Sequence, residues 1–472
     1  MPLSTEPEAL RADDSDVRVR LAESARVTEG AAVSSAQFEK WFAERSAAQL
    51  HEVTPIPFAK LRDWSFAESS GNLVHDSGRF FSVAGLTADV DDGPVRGWAQ
   101  PIIVQPEIGL LGIAVREIDG VLHLLMQAKA EPGNPNGVQL SPTVQATKSN
   151  YTGVHRGRPV PYIEHFARAD PRRVIADVLQ SEHGAWFYRK RNRNMLVEVG
   201  PEVEAGEDFC WLTLGQVHEQ LSIDHRVNMD ARTVLSCLPG FAAEDRGLHS
   251  NTEILHWITS NQAVHDVETT LVGLRDLPGW QQSEWTISHE WGLFFSVNAV
   301  DIVANSREVG GWTQPLIEPH GLGVVGLLVK RIDGVPHALL RARIEPGYID
   351  AIELAPTVQG TPENHAHLSG PLYQQLLDFG RGPGERVLFD AELSEEGGRF
   401  YHSRSRYKIV EVGDDHPAEE PPGHYWISLP QITSLLQHRH YLNVQARSII
   451  ACLRGHEGGA LVLHGATGRD TP

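Results

Sequence analysis

Cysteine and methionine are scarce in this chain, three and four in 472 residues. Cys210, Cys237 and Cys452 form no Cys-x-x-Cys pair and lack the density of a secreted disulfide scaffold. They read as small core residues of a reducing compartment. No apolar run approaches the roughly 20 residues needed to span a bilayer, and the N-terminus has no basic-then-apolar secretion signal. These absences point to a cytoplasmic protein with no membrane partner. Positive charge is also short: 41 Lys and Arg against 61 Asp and Glu leave a formal net charge of −20. That excludes wrapping of nucleic acid on a basic face, yet leaves room for a nucleotide held by a local basic cluster. What is present is 41% hydrophobic residues and 11 Trp, enough for substantial cores in a chain long enough for two domains.

Residues 1–36 are polar and read as a loosely ordered leader. The chain then repeats itself. Gly78-Arg79-Phe80-Phe81-Ser82-Val83 returns as Gly292-Leu293-Phe294-Phe295-Ser296-Val297, and Trp98-Ala99-Gln100-Pro101 as Trp312-Thr313-Gln314-Pro315. Ile118-Asp119-Gly120, Glu131-Pro132-Gly133 and Pro142-Thr143-Val144-Gln145 return at Ile332, Glu345 and Pro356, all with one offset of 214. That period is far too long for a solenoid. Two tandem modules are expected, at 37–245 and 250–460, followed by a tail at 461–472. Each is a mixed α+β unit. The apolar run Ile108 to Arg116, the turn Asp119-Gly120 and Val121 to Ala130 spell a hairpin. A helix is expected over Arg172 to Gln180, then an acidic-Gly turn, then a strand from Trp186-Phe187. That order resembles the Nudix-type fold, although the acidic metal box of Nudix hydrolases cannot be read here.

Several apparent signals carry little. Gly321 to Gly326 matches GxGxxG, but an apolar strand rather than a helix follows it, so no dinucleotide site is expected. His438 with His440, and His365 with His367, lack a third ligand at zinc spacing, so no metal is expected. The polar residues concentrate in two tracts. One runs from Gln127 through Glu131 and Thr147-Lys148-Ser149-Asn150-Tyr151 to His155-Arg156. It has no regular period and reads as loop, where sites sit on a rigid scaffold. In the other, Arg189, Arg191 and Arg193 would share one strand face. That row is either an ion-paired surface or a diphosphate clamp. It persists in the second copy as His402, Arg404 and Arg406.

The runs Gln127 to Asn134, Gln139 to Thr147, Ser149-Asn150-Tyr151, Lys190 to Met195 and Val227 to Ser236, with His75 to Phe81 and Trp98 to Pro101, resemble the hallmark stretches of the NDP-hexose 2,3-dehydratases. The likeness runs from about residue 38 to 455. It implies tandem Nudix-like modules, a homodimer, a dTDP-4-keto-6-deoxyhexose substrate and a downstream 3-ketoreductase. The implied reaction is a β-elimination that needs no cofactor, only a base near C3, a proton donor near O2 and donors for the charge developing on O4. Glu131 is the first candidate base, with a turn carboxylate as its structural alternative. Tyr151 and His155 are candidate proton donors, and Lys129 and Lys148 could polarise the C4 carbonyl. Thr147, Ser149 and Asn150 could hold sugar hydroxyls, Arg189, Arg191 and Arg193 the diphosphate, and Arg156 and Asn194 are further substrate-binding candidates. Trp64 and Trp98 could stack the base or simply pack the core. Arg404, Arg406 and Tyr407 mark a possible second site. Scaffold residues persist between the copies while these chemical groups differ, so the first copy is expected to hold the chemistry. A Nudix-type nucleotide-sugar hydrolase and a non-catalytic nucleotide-sugar binder remain as alternatives.

Overall fold

A computed structural model describes residues 15–91, 95–148, 159–240, 246–305, 310–366 and 371–465. The fold is mixed α and β and dominated by sheet. Each copy builds one seven-stranded sheet and one five-stranded sheet. In the first copy the larger sheet runs Val174–Ser181, Arg191–Glu198, Gly109–Ile118, Val121–Ala130, Phe209–Thr213, with short strands Val138–Ser141 and Val144–Ala146 alongside. Arg191–Glu198 and Gly109–Ile118 are parallel and the other neighbours antiparallel. The second copy repeats this order with Glu385–Ser394, Arg404–Val412, Gly323–Ile332 and Val335–Ile344. The expected hairpins form at Asp119-Gly120 and Asp333-Gly334. All four residues have positive φ (50°, 80°, 49° and 79°), the backbone that a tight two-residue turn between right-twisted strands demands. Gly323 to Gly326 lies inside a strand, as its apolar continuation implied.

The copies are not side-by-side modules. His51–Ile56 leaves its own copy and pairs with Phe295–Ala304 of the second, from His51 opposite Ala304 to Ile56 opposite Ala299. Its counterpart Val267–Val272 pairs with Ser82–Val90 of the first. Each five-stranded sheet therefore contains one strand on loan. The Glu-Pro-Gly loops cross in the same reciprocal way. Gly133 N–H donates to Gly397 O and Gly347 N–H to Gly184 O, both at 2.7 Å. A Cβ on Gly133 would lie 1.6 Å from the Phe400 carbonyl oxygen, and one on Gly347 1.8 Å from that of Phe187, so only glycine permits this approach.

The main core is continuous across both copies, joining Leu124, Leu140 and Val234 to Val325, Leu340 and Ile449. Two buried arginines bind it further. Arg232, on the helix Met229–Ser236, donates to Ser394 O at 2.6 Å, and Arg447, on the helix Val444–Gly465, donates to Ser181 O at 2.5 Å.

Three expectations need correction. Residues 15–36 are ordered structure rather than a loose leader. The helix Ser15–Arg26 buries Val17 and Leu21, Ser24 Oγ donates to Leu122 O at 2.6 Å, and Arg20 pairs with Glu198 at 2.6 Å. The apolar face hidden among its charges is what docks. Val174–Ser181 is a strand, not a helix. Ala176, Val178 and Gln180 are buried at every second position, and the segment forms the antiparallel edge beside Arg191–Glu198. Trp186-Phe187 contributes only an isolated bridge from Phe187 to Ile103, and the following strand begins at Arg191.

Candidate active site

A cavity of about 470 Å³ opens where the first copy's larger sheet meets the second copy's small sheet. Its two ends differ in character. Trp64, His75, Phe80 and Phe81 cluster at one end, with His75 5.1 Å from Trp64 and 4.3 Å from Phe80 between ring centroids. Trp312 and Thr313 of the second copy join them, and Trp64 Nε1 donates to Thr313 O at 3.0 Å. Arg399, also of the second copy, lies 4.2 Å over the Phe81 ring and leads to the charged end.

That end gathers four carboxyl groups, Glu131, Glu182, Asp230 and Glu396, with Lys129 and Lys190. Strand alternation explains part of the set: Lys190 and Asn192 face the cavity while Arg191 and Arg193 face away. Glu131 opens the loop that crosses to the second copy. Its Oε1 accepts from Gln145 Nε2 at 2.8 Å, and Gln145 Oε1 in turn accepts from Asn228 Nδ2 at 3.2 Å. Asn228 also caps the helix Met229–Ser236, accepting from Ala231 N–H at 2.8 Å. The cap therefore fixes the amide that orients Glu131. Glu182 Oε1 accepts from Asn192 Nδ2 at 2.5 Å, Lys190 Nζ donates to Glu107 O at 2.5 Å, and Glu396 Oε1 accepts from Gly398 N–H at 3.1 Å.

Burial sets the proton occupancy. Asp230 is held well above the usual carboxylate range, first by burial and then by repulsion from Glu182, Glu396 and Glu131, with Lys129 opposing. Burial also raises Glu396 to about 8 against the pull of Arg399. It lowers Lys190 to about 8 despite the neighbouring Glu182 and Glu107. A cavity that keeps some carboxyl groups neutral beside others that accept amide hydrogen bonds can supply both an acid and a base.

Of the residues singled out from the sequence, Lys129, Glu131, Thr147 and Trp64 line this cavity. Lys148 is exposed beside them. Ser149, Asn150, Tyr151, His155 and Arg156 fall outside the described residues. Trp98 is not on the wall; its counterpart Trp312 takes that place, because the second copy's strand Gly311–Pro319 reaches across the cavity. The cation row is not a clamp on this cavity. Arg193 is bidentate to Asp177 at 2.7 and 2.5 Å, and Arg406 to Asp390 at 2.6 and 3.0 Å. Arg404 pairs with Glu392 at 2.9 Å. Arg189 adopts a positive φ of 50° and lies over the Tyr188 ring instead of on a strand face. Arg191 is half-buried on the same outer face, away from the cavity, and Asn194 is buried below it with its Nδ2 on Asn192 O. Tyr407 is fully buried and donates to Glu395 Oε1 at 3.0 Å.

Sequence reading passed over Asp230, Glu182, Lys190, Asn192, Glu396 and Arg399. A signal existed for three of them. Asp230, Lys190 and Asn192 become Gln445, Ser403 and Ser405 in the second copy, the same divergence that marked the candidates named above. No local pattern signals that Glu396 and Arg399 enter the first copy's cavity.

The sequence profile of the NDP-hexose 2,3-dehydratase family matches residues 35–238 and again 251–453. The chain is 49% identical over 447 residues to a dTDP-4-dehydro-6-deoxy-α-D-glucopyranose 2,3-dehydratase of Amycolatopsis orientalis, covering 93% of this chain and 94% of that one. It is 46% identical over 444 residues to a protein of the same description from Saccharopolyspora spinosa, covering 89% and 91%. A third such protein, from Streptomyces violaceoruber, is 45% identical over 434 residues, covering 89% and 97%.

Proposed function

The chain belongs to the NDP-hexose 2,3-dehydratase family, and from that premise we infer that it removes the C2 hydroxyl of dTDP-4-keto-6-deoxyglucose. The observation that carries this reading is the full-length likeness to three dehydratases of that description. The C4 ketone acidifies the C3 hydrogen. A base takes that proton, the C2 hydroxyl departs with a proton from an acid, and the resulting enol becomes a 3,4-diketo-2,6-dideoxyhexose. An acid and a base each contribute roughly 10² to 10⁴ in rate.

The first copy's cavity is the site of this chemistry. Glu131 is the base: its carboxylate projects into the cavity and is oriented by Gln145. Lys129, on the strand that ends at this loop, stabilises the charge that builds on O4. The aromatic end with Trp64 and Trp312 offers the surface for the nucleobase. Ser149, Asn150, Tyr151, His155 and Arg156 remain candidates for sugar and phosphate contacts from the adjoining segment. Each copy follows a Nudix-like plan, supported by the mixed sheet with its parallel pair. The family resemblance adds a homodimer, a 3-ketoreductase that captures the unstable product, and a place in deoxysugar biosynthesis for glycosylated natural products. Three buried free cysteines suit a cytoplasmic setting, and no helix among the described residues is long and apolar enough to cross a membrane.

The test is a coupled assay in D₂O with dTDP-4-keto-6-deoxyglucose, a 3-ketoreductase and NADPH, analysed by mass spectrometry. The expected product is 2-deoxy and carries deuterium at C2. Unchanged substrate, with the reductase shown to be active, would overturn the reading.

A further inference from the structure

The elimination needs a group that hands a proton to the departing hydroxyl, and the charged end of the cavity offers four carboxyl groups. They are not equivalent. Glu131, Glu182 and Glu396 each accept an amide hydrogen bond, from Gln145, Asn192 and Gly398 respectively. Such donors favour the anion, although at Glu396 burial prevails and raises it to about 8. Asp230, on the first turn of the helix Met229–Ser236, lines the same cavity at 4% exposure, and among the described residues its Oδ1 has no hydrogen-bond partner, whereas Glu182 and Glu396 leave Oε2 unpartnered but hold Oε1 on a donor. A buried, unpartnered carboxylate is costly, whereas a buried carboxylic acid facing a cavity has a proton to give.

We propose that Asp230 is the catalytic acid that protonates the leaving C2 hydroxyl. This rests on the dehydratase reading above. The surroundings of Asp230 support it from every side. Burial disfavours its anion first, and repulsion from Glu182 and Glu131, on two other elements, adds to it; Lys129 and the amino end of its own helix favour the anion and are outweighed. The second copy has Gln445 at this position, an amide that cannot deliver a proton.

The bookkeeping of bonds closes without any added reagent. Glu131 takes the C3 proton, and the C3–H electron pair enters the C3–C4 enediolate. The C4 carbonyl then re-forms, the electron pair becomes the C2–C3 double bond, and the C2–O bond breaks. The oxygen leaves as water with the Asp230 proton. The enol takes a solvent proton at C2 as its C3 hydroxyl gives one up, leaving the C3 ketone, and exchange with solvent then removes the proton from Glu131 and restores one to Asp230.

Asp230→Asn tests this, because it keeps the shape and removes the acid. With the natural substrate, kcat is expected to fall by about 10² to 10⁴, while the recovered substrate still exchanges its C3 hydrogen in D₂O through Glu131. A 2-deoxy-2-fluoro analogue of the substrate sharpens the test, since fluoride departs without a proton. D230N should eliminate it at a rate within about threefold of the unaltered enzyme. Loss of both C3 exchange and fluoride elimination, in a variant that melts like the unaltered protein, would make Asp230 a structural residue and overturn the proposal. Unchanged turnover of the natural substrate would also overturn it and move the acid to Tyr151 or His155. If the unaltered protein eliminates neither hydroxyl nor fluoride, it is the dehydratase reading that fails, and the proposal with it.

Discussion

The two copies carry the same Glu-Pro-Gly loop and put it to different uses. Glu131 and Glu345 are both buried, and each takes a hydrogen bond from a glutamine whose amide is held by the asparagine that caps a following helix: Asn228 to Gln145 to Glu131, and Asn443 to Gln359 to Glu345. The difference lies around them. Glu345 is locked by Arg343 at 2.7 Å and by the Ala185 N–H at 3.0 Å. Glu131 faces a cavity instead, with Lys129 where Arg343 stands and Asp230 where Gln445 stands. Duplication thus preserved one carboxylate cradle, kept open in one copy and closed by an ion pair in the other.

The most severe way to break the comparison is to separate the copies. Residues 1–245 and 246–472, produced as two chains, should each fail to fold alone, because each lacks the loaned strand and half of a shared core. Co-production should restore a soluble complex. Two halves that are each folded and monomeric by circular dichroism and gel filtration would refute the intertwined arrangement. Exchanging the carboxylates comes next. Glu131→Gln should lower turnover by about 10² to 10⁴ with little change in melting. Glu345→Gln should leave turnover nearly intact and cost about 1–3 kcal/mol of stability by stranding Arg343. If denaturant melts and turnover assays gave the opposite pattern, the second copy would hold the chemistry.

A third contrast lies on the seam between the copies, where His183 is buried between Glu182 of the first copy and Glu395 of the second, at 3.6 and 3.1 Å. Burial alone would lower its pKa, but the two carboxylates outweigh burial and lift it from 6.5 to about 9. The folded protein therefore holds this proton more tightly than the unfolded chain. The stabilisation, about 3 kcal/mol, is fully present below pH 6.5 and lost as pH rises through about 9. Melting across that window should show the decline, and His183→Gln should flatten it. The smallest effect is expected at Glu353, whose counterpart in the first copy is Gln139. Burial raises Glu353 to about 8, with Ser181 as its hydrogen-bond donor at 2.6 Å. A raised carboxyl favours the fold below its ordinary pKa of 4.5 and progressively less as pH rises toward 8. Glu353→Gln, the first copy's own solution, should raise Tm by about 2 °C at pH 8 and by less at pH 5. An equal shift at both would remove its titration as the cause.

Part of the site was legible because it is local. Glu131, Lys129 and Thr147 stand in one polar tract beside a hairpin, and such tracts follow strand ends. The arginine row was legible as a row, yet it could not be resolved into clamp or ion pair, because Asp177 and Asp390 lie 16 residues away on neighbouring strands. Val174–Ser181 carries helix-compatible residues, and only its pairing with Arg191–Glu198 makes it a strand.

What the sequence by itself determined is the duplication, the Asp-Gly hairpins, the repeated Glu-Pro-Gly and the positions at which the two copies differ in chemical groups. Each depends on residues near one another in the chain or on matching them at one offset. What only the tertiary structure decided is that the site is built from both copies. The second copy's strand Gly311–Pro319 and the turn met by the crossing loop carry Trp312, Glu396 and Arg399 into the first copy's cavity; Arg399 lies 318 positions from the Phe81 ring it covers, and Glu396 166 from Asp230. The protonation of Asp230 and Glu396 was decided there too, because it depends on burial and on carboxyl groups that meet only after the chain has folded.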